Sequence, residues 1–229
     1  MFPNQVYEKY ITKVEKNSTN DNFSTDKGKL ANLYNELSKR LIKFYLNNRN
    51  LDNLKDIQVL LVNDKPIEPE IKKEEYNLFP LPKNFFSWSY AKAKANKGKC
   101  KDKDIHLYEI RDEDRADFLT SSLFKPSFKW RETAYNFAGN YLKVYKEEEM
   151  EVYKALLSYY KTPKEIKLQD EDNPESDFIN TELELPEQVI DRIISAAVGD
   201  FKISNSDPSF QSEKLRQNEN IAKQAISNK

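Results

Sequence analysis

The sequence predicts an α+β fold: N-terminal helices, a central mostly antiparallel β domain, a C-terminal helix and an extended tail. Three observations carry this expectation. Apolar residues recur at helical spacing in the first third of the chain and again between Leu185 and Gly199. Aromatics alternate with serine through Phe86, Ser87, Trp88, Ser89 and Tyr90, the period of a half-buried strand. Gly139-Asn140 separates two strand-like runs and suits a two-residue type II′ hairpin turn, with glycine at the first central position.

The first helix is read from Val6, Tyr7, Tyr10, Ile11 and Val14, with Asn4 as its cap. The polar run Asn17 to Asn22 breaks it. In the second, Leu30, Leu33, Leu37, Leu41 and Phe44 form one stripe, widened by Tyr34 and Tyr45. A third helix runs from Leu51 to Val62, and Asn63-Asp64-Lys65-Pro66 ends it because proline disfavours helix before it. Residues 1–65 thus form a helical region. The polar link Pro66 to Glu75 marks the boundary.

The β domain is expected over residues 76–166. Its first strand continues through Ala91, Ala93 and Ala95, with Phe86, Trp88, Tyr90 and Trp130 as core aromatics. Lys92 to Lys103 reads as a basic loop, and Ile105 to Arg111 as the next strand. Asp112 would cap a short helix carrying Ala116, Phe118 and Leu119. Ser127 to Ala138 and Tyr141 to Tyr145 are the two arms of the hairpin. Met150 to Lys161 fits both periods. Two aromatics before Lys161-Thr162-Pro163 favour an edge strand ended by Pro163. Residues 167–201 are an acidic loop and a helix packed on the body, with Val189, Ile190, Ile193, Ile194 and Ala197 on one face and Gly199 as C-cap. Residues 202–229 form a polar, partner-binding tail anchored by Phe210, Leu215, Ile221 and Ile226.

Composition narrows the function classes. Net charge is −1, so no global field steers the chain onto nucleic acid. The four glycines are scattered and open no phosphate loop. The N-terminal MFPNQVYEKY lacks a basic region followed by an apolar core, so no signal peptide is expected. No apolar run approaches the roughly 20 residues of a membrane span. Cys100 is the sole cysteine and His106 the sole histidine, too few for a structural zinc site. Lys97, Lys99, Lys101 and Lys103 would favour a Cys100 thiolate, yet no third catalytic member is readable. The carboxylate runs Glu147 to Glu149 and Asp170 to Asp172 match no motif. No catalytic, cofactor-binding or metal-binding residue is therefore assigned, and no cofactor is expected. The candidate interface residues are Lys97, Lys99, Lys101, Lys103, Phe210, Leu215, Ile221 and Ile226. A nucleic-acid-binding module using the Lys92 to Lys103 segment is the alternative, with Phe86, Trp88 and Tyr90 available for stacking.

FKPSFKW at Phe124 to Trp130 and LLSYYKTPKEI at Leu156 to Ile166 resemble segments of structural proteins of crAss-like tailed bacteriophages. ELPEQVIDRIISAAV at Glu184 to Val198 is similar to the same group's Leu-Pro-led helix. The N-terminal order of helix, Asn-rich loop and a helix containing LANLYNELSKRLIKFY fits as well. The resemblance is a pattern of apolar, aromatic and proline positions over most of the chain. It implies a virion protein, a ring-forming neck subunit that joins portal to tail around the DNA channel and assembles in the host cytoplasm. The implied partners are copies of itself in a twelve-fold ring, portal proteins and tail proteins. DNA would pass nearby without specific recognition, and no membrane is involved.

Overall fold

A computed structural model of the 229-residue chain describes residues 1–15, 27–48, 50–111, 113, 121, 125–168 and 182–204, the last four by backbone alone. The fold is α+β, with N-terminal helices, a curled eight-stranded sheet and a C-terminal helix. The expected break at Asn17 to Asn22, the short helix from Asp112 to Leu119 and the tail anchors Phe210, Leu215, Ile221 and Ile226 lie outside the described residues. Two compact units emerge. One combines Met1–Val59 with the chain from Pro163 onward, and the other is Leu60–Thr162. The β unit is thus inserted between two parts of the helical unit, a division that differs from the consecutive 1–65, 76–166 and 167–201 expected from composition.

In the helical unit, α1 spans Pro3–Glu15, α2 Lys27–Asn48, α3 Leu51–Asp56 and α4 Glu187–Ser204. Pro3 opens α1, where its missing N–H costs nothing. The Gln5 side chain reaches back to accept from the Phe2 N–H at 2.9 Å, so this pair, not Asn4, closes the helix start. In α2 the buried stripe is Leu30, Ala31, Tyr34, Ser38, Ile42 and Tyr45, rotated from the leucine stripe, and Phe44 is exposed. α4 packs on both α1 and α2. It buries Val189, Ile190, Ile193, Ile194 and Ala197, the expected face. Gly199 lies inside α4, which continues to Ser204 instead of ending there. Asn35 on α2 holds the chain returning from the β unit. Its amide donates to the Ile166 carbonyl at 3.1 Å and its oxygen accepts from the Ile166 N–H at 2.9 Å.

The third helix is shorter than its apolar spacing predicts. Asn50 caps α3 by accepting from the Asp52 N–H at 2.9 Å, and the helix ends at Asp56. A 3₁₀ turn at Gln58–Leu60 leads directly into a strand. Tertiary pairing overrides local helical spacing here.

The strands are β1 (Leu61–Ile67), β2 (Ile71–Lys72), β3 (Tyr76–Pro80), β4 (Phe85–Lys97), β5 (Cys100–Glu109), β6 (Glu132–Ala138), β7 (Tyr141–Tyr145) and β8 (Glu151–Lys161). Their order is β1-β8-β4-β5-β6-β7-β3-β2, and β5–β6 is the parallel pair among antiparallel ones. The two ends of that order, β1 and β2, are joined by Glu68, Pro69 and Glu70. A flat sheet of eight strands would set its edges roughly 34 Å apart. The link reaches at most about 14 Å. The sheet must therefore roll until its edges approach. Across the resulting seam the Asn77 amide on β3 donates to the Val152 carbonyl on β8 at 2.7 Å, and Lys72 lies 3.8 Å from Glu151. One continuous core fills the inner face. Phe79, Ala93, Ile105, Tyr135, Val144 and Leu157 all belong to it and come from six different strands.

Three expectations change within this unit. Pro66 sits inside edge strand β1, where a missing N–H is tolerated, and the irregularity between Val62 and Lys65 with Asp64 at φ 48° blunts the edge. β8 is a strand as favoured, but it is central, flanked by β1 and β4. The alternating aromatics of β4 do not form one core row. Its register shifts between Phe85 and Ser87 and again between Trp88 and Tyr90. These bulges put Phe85 and Trp88 on the side of the inward Ala91, Ala93 and Ala95. Phe86 falls at the first bulge and is half-buried, while Tyr90 is 43% exposed.

Candidate functional site

The strand directions gather several connections at one end of the rolled sheet. β4 ends there and β5 begins; β6 begins, β7 ends and β8 begins at the same level. The Lys92 to Lys103 segment, expected as a loop, is ordered strand on both sides of a tight turn. Lys92 pairs with His106, Ala95 with Lys103 and Lys97 with Cys100. Gly98 adopts φ 55°, a left-handed conformation that glycine accepts without penalty.

This hairpin's positive charge is partly consumed. Lys92 lies 3.7 Å from Asp64, Lys94 contacts Asp102 at 3.0 Å and Asp104 at 3.4 Å, and Lys97 meets Glu147 at 2.9 Å. Asp102 also accepts a short hydrogen bond from the Tyr153 hydroxyl. That bond, with Lys94 second, holds the Asp102 carboxyl below its usual range; the same bond pushes the Tyr153 hydroxyl up. Lys99 and Lys101 are exposed and Lys103 half-buried, and none of the three has an ion-pair partner among the described residues.

Beside the hairpin stands the turn from Ser127 to Glu132, which the sequence placed in a strand. Ser127 and Glu132 exchange backbone hydrogen bonds at 2.9 and 3.1 Å, and the Arg131 N–H donates to the Phe128 carbonyl at 3.3 Å. Arg131 takes φ 58°, so the chain reverses instead of extending. Phe128 packs against the core. Trp130, expected as a core aromatic, is 71% exposed at the tip. Glu147 joins turn and hairpin: one carboxylate oxygen accepts from Lys97 Nζ at 2.9 Å and from the Phe128 N–H at 3.0 Å. The His106 N–H donates to the Arg131 carbonyl at 2.7 Å, fixing the turn to β5.

The other polar candidates are not brought together. Cys100 and His106 lie on one strand six residues apart, roughly 20 Å at strand rise, too far for a nucleophile and its base. Among the described residues no cluster of three or more His, Cys, Asp or Glu has the arrangement to hold a metal. A polar cleft of about 420 Å3 in the helical unit is lined by Met1, Gln5, Glu8, Lys9 and Glu187. Lys9 there is held by Glu187 at 2.6 Å and Asp191 at 3.2 Å. No described helix is long and apolar enough to cross a membrane.

The arrangement that sequence reasoning missed is the Lys129-Trp130-Arg131 tip. Pro126-Ser127 was an available turn signal, but the positive φ at Arg131 has no sequence marker. The chain matches no protein-family model, and no curated protein matches it.

Proposed function

We propose that this protein is a structural subunit that assembles into a closed ring in the neck of a crAss-like tailed phage, between portal and tail. The exposure of large apolar side chains carries the reading. Leu51 is 75% exposed, Phe44 51% and Val59 50%, all near the α2–α3 junction of the helical unit. Scattered exposed apolar residues are ordinary, but a concentration within a short stretch of chain marks surfaces that partners cover. The segment resemblance in FKPSFKW, LLSYYKTPKEI and ELPEQVIDRIISAAV supplies the location in the virion. A ring subunit makes heterologous contacts that close by rotation, and the Phe44, Leu51 and Val59 surface is offered as one half of such a contact.

Mass photometry and negative-stain electron microscopy of the purified full chain test this. The expected outcome is a uniform closed ring, twelve-fold if it sits against the portal. Phe44→Ser with Leu51→Ser should shift the population to monomers without changing the circular dichroism spectrum. A wild-type protein that stays monomeric across the micromolar range, alone and with portal protein, refutes the reading.

A further inference from the structure

The rim that carries Trp130 has a chemistry that subunit assembly does not require. Trp130 projects from a turn closed by backbone hydrogen bonds, so its ring is presented at low entropic cost. The Lys129 ammonium lies 5.4 Å from the Trp130 ring centroid. Arg131 follows directly, and its carbonyl is tied to β5. Through Glu147 the turn is locked to the β4–β5 hairpin, which adds Lys99, Lys101 and Lys103. None of these five cations has a carboxylate partner among the described residues.

We propose that this rim binds single-stranded nucleic acid, with Trp130 as a stacking platform and Lys99, Lys101, Lys103, Lys129 and Arg131 as phosphate contacts. An accessible indole takes any unpaired base on its face, and unpaired cations beside it follow the backbone without reading sequence. Binding is therefore sequence-tolerant. Four of the five cations are lysine, a residue depleted from protein–protein interfaces, and this favours a polyanion over a second copy of the chain. The nearby carboxylates set the limits of the track. Glu147 is occupied by Lys97 and Phe128, and Asp102 and Asp104 by Lys94. Glu148 and Glu149 are exposed on the β7–β8 connection and border the site on its acidic side, as Glu132 does beside Arg131. This inference does not depend on ring formation, since a monomer would bind equally well.

The test is titration of the full chain at low salt with labelled oligothymidine or oligouridine of about 12 nucleotides, within the usual site sizes. Anisotropy reads binding and tryptophan fluorescence reads stacking. Trp130 is the more exposed of the two tryptophans, so base stacking should quench emission on binding. Trp130→Ala should weaken binding by roughly ten-fold. Trp130→Phe should keep most of the affinity while losing the quench. Lys99→Gln, Lys101→Gln and Arg131→Gln should each lower the slope of log affinity against log salt by about 0.7. Glu148→Gln with Glu149→Gln should tighten binding. Unchanged thermal midpoints show that the variants remain folded. Absence of binding by the wild type, equal affinity of Trp130→Ala, or a preference for duplex would overturn the proposal. So would a Trp130 quench that tracks protein concentration without oligonucleotide, which assigns the tip to a second copy.

Discussion

At the scale of the residue, the two tryptophans divide the work of the β unit. Trp88 stands edge-on to Tyr135, ring centroids 5.4 Å apart, and packs against the inner core. Its truncation to alanine leaves a void among aromatics and should cost about 3 kcal/mol in urea denaturation. Trp130→Ala removes an exposed ring and should change stability by less than about 0.5 kcal/mol. Equal losses at the two sites would contradict the burial seen here. Tyr34 makes a different prediction. Its hydroxyl is buried in the helical unit without a hydrogen-bond partner, and burial raises its ionisation above the ordinary 10.0. The folded chain keeps this proton while the unfolded chain releases it as pH passes 10. The contribution to stability is therefore complete below pH 10 and lost as pH rises beyond it. Tyr34→Phe should leave neutral stability nearly unchanged, because it removes an unsatisfied group. It should also flatten the alkaline loss, as thermal midpoints measured from pH 8 upward will show.

At the scale of the element, turns and bulges decide which side chains face inward. Gly139 adopts φ 59° between β6 and β7, with Ala138 opposite Tyr141, so the hairpin closes over two residues as the Gly-Asn pair predicts. A Cβ added at Gly139 would meet nothing within 4 Å. The cost of Gly139→Ala is then conformational alone, about 1–2 kcal/mol for a left-handed L-residue, readable as a lower denaturant midpoint with unchanged slope. A larger loss would mean that the hairpin register itself had slipped. In β4 two bulges convert a regular alternation into an inward Phe85 and Trp88. Phe85 then stacks on Tyr159 at 5.6 Å and tilts against Phe137 at 5.9 Å. Those contacts join β4 to β8, its neighbour, and to β6, two strands away across β5. The twist that bulges add helps a sheet to curl.

At the scale of the whole molecule, the β unit enters and leaves at adjacent points, since Leu61 pairs with Tyr160. An inserted body with neighbouring ends and its own core has what independent folding requires. A fragment of residues 60–162 should therefore give a β-type circular dichroism spectrum and a single cooperative melt. An unfolded fragment would show that the core depends on the helical unit. The helical unit is built on α4, which returns from the far end of the sequence to pack on α1 and α2. Arg192 on α4 binds the Tyr45 hydroxyl at 2.5 Å and lies 3.4 Å from Asp56, tying it to α2 and α3. Both halves of the chain must be present for this core to close.

The sequence by itself determined the α+β class, the apolar face of α4, the Gly139 hairpin and the presence of α1 and α2. Each rests on a local period or a turn residue whose physics acts over a few positions. It also determined that one cysteine and one histidine lie too far apart along a strand to act together. Tertiary structure alone decided the rest. It turned the end of the third expected helix into β1, because pairing with β8 outweighs helical spacing. It made β8 central, because neighbours are chosen by long-range pairing that no local signal encodes. It rolled the sheet, because β1 and β2 are near in sequence yet opposite in strand order. It moved Trp130 from the expected core to an exposed tip, because a positive φ at Arg131 reverses the chain where alternation alone would continue it. The rim where Trp130 meets the β4–β5 hairpin exists only after folding, since its parts are distant in sequence and joined by the carboxylate of Glu147.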